Sequence, residues 1–573
     1  MTVLNSDKRR TYGKRYLCRI LVFLGVISLA FLIITPYGID IEFHVLRIGE
    51  LGKELMRGGQ FPVYIFKDVY NHYGYPIPIF YGELFLFPFS CLSFLGVSPL
   101  NIYKFVVVTV LWASFWTAHV CLKKAVKDEA KVMTGAFIYA INPFFLTELF
   151  VRASLGSAMV FVFLPFVLLG FWMIERDEDL LMGILYLGAG MACVTMSHVV
   201  STVMAVIGLV VVALFRIRHF RSPVKAVASF GISALTCFLL TAWYLLPMME
   251  QLSRNQLMSE MPTSLEVGGM NLITLLLPMH LSVALSSLLH VNLIESVVGG
   301  CALPLIILLI YLMVTRRYSD CDVNEKTMMV IYFLLTLTLI IPWIWMPLGR
   351  ILGFMQFSWR IYLIISMLGV FLMNYMMIRR DNDGFMYLIC RIAAISAVYV
   401  LVFFMGYFML RDIAPGFVGS VIGHGFSGIT YSSETQDILY LPASLDRDHV
   451  LNDVREVRPV SGDVSYTYDN DEANGVVFIE VYDAVEDSVL ECPFISYAGY
   501  TAVNTDTGEE LETFTGDSGL VNLYIPIETT GRIAVSYAGT GMQRISLAIS
   551  TLSAIILMTT GVWHRRRQRV DCG

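Results

Sequence analysis

Long apolar runs broken by short polar clusters dominate residues 19–410, and one more run appears at 545–563. A membrane-crossing helix needs about 20 mostly apolar residues, and Lys and Arg gather in the short loops that stay inside. Together these rules place spans near 19–35, 103–121, 132–150, 157–174, 180–198, 199–215, 226–247, 296–315, 327–346, 361–378, 392–410 and 545–563. The inner connections then hold KKAVK, ERDED, RIRHFR, the arginine pairs at 316 and 379, and the RRRQR tail. Only ERDED lacks a basic excess, and acidic residues weigh little in the rule. The run 79–97 is read as re-entrant or interfacial, because Glu83 and Pro88 interrupt it and a full crossing would put Lys123, Lys124, Lys127 and Lys131 outside. The pattern predicts a polytopic α-helical membrane protein of about 12 spans, multi-pass in the cell membrane.

Two segments depart from this pattern. Residues 39–57 read as an amphipathic helix: Ile41, Val45, Ile48, Gly52 and Leu55 form one stripe at about 100° per residue, and Asp40, His44, Arg47 and Glu54 form another. Glu42, Glu50, Lys53 and Arg57 fall on the far side. Such a helix, just past a span, is expected to lie on the membrane surface with its ionisable stripe towards protein or a wet cleft. The loop that follows, KDVYNHYGYPIPIFYG at 67–82, is expected to be ordered, since aromatics are poor choices for a flexible linker. Near the other end VVFIEV, VNLYIPI and RIAVSYAG alternate or run apolar between turn sequences DNDEANG, NTDTGEE and TGDSG. They predict an antiparallel β-domain, a sandwich in form.

Composition adds a charge asymmetry. Hydrophobic residues make up 56% of the 573 and charged ones 15%, as expected of a membrane protein. The net charge of -6 hides two parts, because residues 411–544 hold 22 of the 46 acidic residues and only 6 of the 40 basic ones. An acidic, lysine-free module thus accompanies a mildly basic membrane body, and neither resembles a nucleic-acid surface. The domains expected are a basic cytoplasmic N-terminus 1–18, a transmembrane domain 19–410 with first outer loop 36–102, an extracytoplasmic β-rich acidic domain 411–544, and a final helix with basic cytoplasmic tail 545–573. The N-terminal run is read as a retained signal anchor, since no small-residue cleavage site follows. The ten cysteines form no CxxC and no Cys/His cluster with metal spacing, so neither a metal nor a cofactor is expected.

Candidate chemistry gathers at the outer ends of the spans. Asp40 reads equally as a helix N-cap and as a general base near an acceptor hydroxyl. His44 and Arg47 share its stripe, with Arg47 the expected partner. Glu42 lies about 160° away around an ideal helix and joins only if the helix starts later. Arg47 near a bilayer calls for a phosphate or carboxylate. Arg152, in ELFVRASLGS, is either an interfacial anchor or a ligand for a lipid phosphate. His198, in TMSHVVST, and Arg360, in QFSWR, lie at comparable depth. The chain has no Walker A, GxGxxG, GxSxG or HExxH motif, and mid-span charges that ion-coupled transport would need are almost lacking.

The segments GIDIEFHVLRIGEL (38–51), GYPIPIFYGELF (74–85), YAINPFF (139–145), VRASLGSAMVFVFLPFVLLG (151–170), SHVVST (197–202), AWYLLPMMEQ (242–251) and QFSWR (356–360) occur in the order seen in a known group. They resemble the 6-pyruvoyl-tetrahydropterin synthase-related bacterial membrane proteins, close to the YfhO-like proteins and the wider GT-C glycosyltransferase superfamily. The stretch 490–541 also looks like the outer β-domain of YfhO-like proteins. The label implies no pterin chemistry. What the resemblance implies is a GT-C-like transmembrane domain, an acidic residue in the first outer loop acting as base or acceptor-positioner, and a sugar donor on polyprenyl phosphate.

Asp40 matches that acidic position best and Glu42 second, with His44, Arg47, Arg152, His198 and Arg360 as substrate-binding candidates. The expected function is transfer of a sugar from a polyprenyl-phosphate donor to an acceptor glycan or cell-envelope polymer on the outer membrane face, with membrane lipid the other partner. The alternative is a non-catalytic protein for export or assembly of lipid-linked cell-surface glycans. Gly82 and Glu83 stand where many relatives carry a proline-rich turn, which leaves the role of Glu83 open.

Overall fold

The computed structural model describes residues 6–33, 40–59, 61–254, 257, 321–348, 358–379, 440–445, 450 and 454–571. The expected spans near 296–315 and 392–410, Gln356, and most of the segment 248–295 lie outside the described residues. Five described helices are long and apolar enough to cross a membrane: Pro99–Ala125, Leu155–Glu175, Leu180–Ser197, Pro223–Arg254 and Gly541–Arg567. A sixth span arises if Glu129–Ala140 and Pro143–Phe150, bent by 43°, count as one. Leu17–Ile33 and Val199–Phe215 are apolar but shorter. The segment 79–97 holds no helix of span length: Ile77–Phe80 and Phe87–Ser90 are single turns, and a 3-10 turn Cys91–Leu95 ends at Gly96 with φ 73°.

The chain divides into two compact units. The first comprises Met1–Ile41, Lys104–Cys237 and Thr263–Gly428. Its helices are α1 (Ser6–Ile33), α2 (Glu129–Ala140), α3 (Leu155–Glu175), α4 (Leu180–Ser197), α5 (Val199–Phe215), α6 (Val323–Ile340) and α7 (Tyr362–Arg379), with most of Pro99–Ala125 and the first half of Pro223–Arg254. Helices α3 and α4 are an antiparallel pair that packs tightly at Gly170. A Cβ there would stand 2.4 Å from the Leu187 nitrogen, so only glycine lets the backbones meet. The acidic turn that breaks the charge rule is neutralised by the next basic one: the buried Glu175 binds Arg216, and Asp177 binds Lys225 at 3.0 Å.

The second unit comprises Glu42–Tyr103, Phe238–Pro262 and Ile429–Gly573. Among the described residues nine antiparallel strands form two sheets, ordered β1-β4-β8-β7 and β2-β3-β9-β5-β6. The strands are β1 (Arg458–Ser461), β2 (Val464–Asp471), β3 (Val476–Ala484), β4 (Ser488–Ile495), β5 (Tyr500–Asn504), β6 (Glu510–Leu511), β7 (Thr513–Thr515), β8 (Leu520–Ile525) and β9 (Gly531–Tyr537). Alternation sets the inner faces: Val477 and Ile479 of β3 lie beside Val535 and Ile533 of β9, all 0% exposed. Phe494 of β4 stacks on Tyr500 of β5 with ring centres 5.1 Å apart, joining the two sheets.

The AWYLLPMMEQ motif clamps this unit. Gln251 makes a paired amide bond with Ala498, 2.8 Å from Nε2 to the carbonyl and 3.0 Å from the Ala498 nitrogen to Oε1. Glu250 accepts from Thr540 at 2.6 Å. The Ser550 hydroxyl inserts into the helix Pro223–Arg254, donating to Leu239 O at 2.8 Å and accepting from Trp243 N at 3.0 Å. That is where a ladder one turn before Pro247 opens.

The helix Ile41–Met56 differs from its sequence reading. His44 to Gly52 are all buried, including Glu50 of the supposed far side at 0% exposure, whereas Glu42 is exposed and Lys53 and Arg57 are partly so. Lys53 of the same helix bonds Glu50 at 2.9 Å, and Asp68 of the following loop takes Lys53 at 3.0 Å and Arg57 at 2.6 Å. That loop is ordered, with Tyr70, Tyr73 and Tyr75 at most 1% exposed and Ile495 N donating to Tyr73 O at 3.0 Å.

Candidate functional site

The turn joining α2 to α3 is built by its sequence. Asn142 caps the short helix Pro143–Leu146, its Oδ1 accepting from Phe144 N at 2.9 Å, and Pro143 takes the first helical position, where its missing N-H is harmless. The chain then widens into a π-turn, Thr147–Val151, a geometry often found at functional positions. Ala153 adopts φ 56°, a left-handed conformation that is strained for any residue with a Cβ. Gly156 follows, where a Cβ would stand 2.8 Å from Ser197 O, so the turn sits directly against the α4–α5 junction.

This geometry sets Arg152 among acids. Its Nη1 donates to both oxygens of Glu148 at 2.9 Å, one helical turn earlier, and its Nη2 is 3.7 Å from Asp40 Oδ2. Asp40 is tied to the same residue through its main chain, donating from N to Arg152 O at 2.9 Å. The Glu148 side chain is 0% exposed and that of Arg152 9%, whereas that of Asp40 is 32% exposed. Asp40 is thus the accessible member of the triad. Burial opposes the charge on Arg152, but Glu148 and Asp40 outweigh it and hold its pKa above the ordinary value. The arginine is therefore a buried, paired cation and not an anchor reaching for the interface.

His198 stands between α4 and α5 in extended conformation and caps α5 with its ring. Nδ1 accepts from Ser201 N at 3.2 Å and lies 2.7 Å from Ser201 Oγ. A ring whose Nδ1 accepts carries its hydrogen on Nε2 when neutral. Arg152, His198 and Arg360 line one small cavity with Glu148 and Ser201. Its volume of about 10 Å³ is that of one water.

The structure therefore brings Asp40, Arg152, His198 and Arg360 into one neighbourhood of the first unit. His44 and Arg47 belong to a cluster of the second unit. Arg47 Nε donates to Glu83 at 2.8 Å, its Nη1 to His44 Nδ1 at 3.1 Å and its Nη2 to Gly82 O at 3.1 Å. Its guanidinium also lies 5.1 Å from the ring centre of Tyr81. The expected Asp40 to Arg47 pairing is replaced by Asp40 to Arg152 and Arg47 to Glu83. Burial raises the Glu83 pKa, against the pull of Arg47. Glu42 is exposed in the first turn of its helix, a favourable place for a carboxylate near the helix dipole.

Sequence reasoning missed Glu148, Glu83 and Ser201. Glu148 had a signal in its i,i+4 spacing to Arg152; Glu83 had none. Among the described residues no group of three or more His, Cys, Asp or Glu is placed to hold a metal ion.

No family model matches the chain, and no curated protein matches it. Among solved structures the chain is similar to the arabinofuranosyltransferase AftD from Mycobacteria, at 14% identity with a TM-score of 0.36. The match covers 68% of this chain and 27% of that one, so the chain spans about a quarter of that enzyme. A score of 0.36 is too low to establish a shared fold.

Proposed function

We propose that the protein is a membrane glycosyltransferase that moves a sugar from a polyprenyl-phosphate donor to an acceptor hydroxyl on the extracytoplasmic face, with Asp40 as the base. The observation that carries this reading is the half-open Asp40 carboxylate, fixed to the Arg152 turn by its main chain at 2.9 Å and by charge at 3.7 Å. A base must be reachable by the substrate yet held in one place, and Asp40 meets both conditions.

In the proposed step Asp40 takes the proton of the acceptor O-H. The acceptor oxygen forms a bond to the anomeric carbon as the bond from that carbon to the phosphate oxygen breaks, and the polyprenyl phosphate leaves with the bonding pair. Arg152, already neutralised by Glu148, acts as a positioning residue for Asp40. Arg360 and the Nε2 side of His198 are the groups we assign to the donor phosphate. The cavity they line holds one water as folded, so a phosphate enters only with movement of a lining side chain. The buried charges of Glu148 and Arg152 also suit a second reading, a non-catalytic protein for export or assembly of lipid-linked glycans.

Mass spectrometry of lipid extracts and surface glycan from cells carrying Asp40→Asn as the sole copy tests the reading. The expected result is a rise in one polyprenyl-phosphate-linked sugar and a matching loss of that sugar from the glycan. Unchanged lipid and glycan pools, at wild-type protein levels, overturn it.

A further inference from the structure

The second unit contains a cavity of about 460 Å³, well within the range of small-molecule sites at about 300–1,000 Å³. It is walled by the loop after the helix Ile41–Met56, by the β-domain, and by the first turns of the final helix at Gln543 to Leu547. We propose that this cavity binds a saccharide.

Its walls have the two features that polyol recognition requires. The first is a set of fixed aromatic faces. Tyr500, whose centroid is 5.1 Å from that of Phe494, meets Tyr537 edge-on at 5.3 Å, and Tyr537 is itself held by Gln543 at 2.6 Å. Such rings offer large contact area at little cost in side-chain freedom. The second is a polar group with its capacity unspent. The Tyr64 hydroxyl is buried and has no hydrogen-bond partner among the described residues. Burial pushes its pKa up to about 12, so at neutral pH it keeps its proton and can donate. A buried hydroxyl left unpaired is costly, and a ligand hydroxyl would satisfy it.

The charges on the loop argue for a neutral ligand over an anion, and Arg544, the other lining cation, is exposed to solvent. Lys67 pairs with Glu54 at 3.4 Å, and His72 lies 3.5 Å from Asp68 and 3.6 Å from Glu472. Each cation facing the cavity from the loop thus already has an acid beside it. The loop holds His72 in place at a conformational cost: Tyr70, Asn71 and His72 all have positive φ, of 54°, 51° and 65°. Non-glycine residues there cost about 1–3 kcal/mol each and cluster at binding sites. Because Gln543 to Leu547 begin an apolar helix of span length, the saccharide has two possible sources, a soluble glycan or the head group of a glycolipid.

The inference does not depend on Asp40 being a base. Purified full-length protein in detergent, labelled and applied to an array of bacterial surface oligosaccharides, identifies a binder. The same saccharide is then presented free and on a lipid anchor in vesicles. Tyr64→Phe removes only the unpaired hydroxyl. It is expected to weaken saccharide binding about five- to tenfold, the effect of one hydrogen bond, without lowering the melting temperature. Ala538→Trp, at an exposed lining position, is expected to abolish binding, and Asp40→Asn to leave it intact. Binding to the free sugar as tightly as to the anchored one assigns a soluble glycan, and binding to the anchored form alone assigns a glycolipid. No array binding by the wild type, or equal binding by Tyr64→Phe and Ala538→Trp, overturns the proposal, whatever the outcome for Asp40.

Discussion

Replacing Glu83 by glutamine asks whether Arg47 serves the fold or the substrate. Arg47 is 1% exposed and Glu83 3%, and the Glu83 carboxylate lies 2.8 Å from the Arg47 guanidinium. Glu83→Gln keeps the shape and removes the charge, leaving a buried arginine uncompensated, a change that costs about 3–5 kcal/mol. The Gly82 carbonyl at 3.1 Å and the Tyr81 ring at 5.1 Å remain, so the lower end, about 3 kcal/mol, is expected. Arg47→Met with Glu83→Met exchanges the pair for apolar groups of similar volume and is expected within about 1–2 kcal/mol of wild type. Unfolding of wild type, Arg47→Met, Glu83→Met and the double variant by SDS titration in mixed micelles closes the cycle, with a coupling energy of about 3 kcal/mol expected. A coupling below about 1 kcal/mol refutes the reasoning. A stable double variant that makes no glycan refutes the assignment of Arg47 to the fold.

Three further perturbations follow from the same structure. Burial alone would raise the Asp68 pKa, but Lys53 and Arg57 outweigh it and lower it. Its contribution to stability is then complete above its unfolded pKa near about 4 and is lost as pH falls through the lower folded value. Melting temperatures measured from pH 6 down to 3 should fall less steeply for Asp68→Asn than for wild type. Ser550→Ala removes the hydroxyl bridging Trp243 N and Leu239 O and is expected to cost about 1–2 kcal/mol in the SDS titration. Ala153→Gly relieves a φ of 56° and is expected to stabilise by about 1 kcal/mol, read as a raised melting temperature with transfer activity retained.

Local features were the legible ones. Period-two alternation gave β3 and β9 because each side chain's face follows from its position in the strand. Glu83 and Pro88 interrupted the 79–97 run for reasons written in those residues, and only short turns form there. What escaped were pairings made across distance in the chain. Asp40 meets Arg152, and Arg47 meets Glu83, through tertiary folding that no helical wheel contains. For the same reason the helix Ile41–Met56 looked like a surface helix: its polar stripe was visible, and the loop acids and lysines that allow it to be buried were not assignable to it. Tyr64, one aromatic among many, carried no mark of its unpaired hydroxyl.

The central claim is that Asp40, and not its neighbour Glu42, activates the acceptor. The direct measurement is the surface-glycan yield of cells complemented by Asp40→Asn beside cells complemented by Glu42→Gln, with membrane protein levels matched. Loss of a general base lowers rate by about 10²–10⁴-fold. The account predicts a loss of that order for Asp40→Asn and wild-type yield for the exposed Glu42→Gln. Wild-type yield from Asp40→Asn contradicts it.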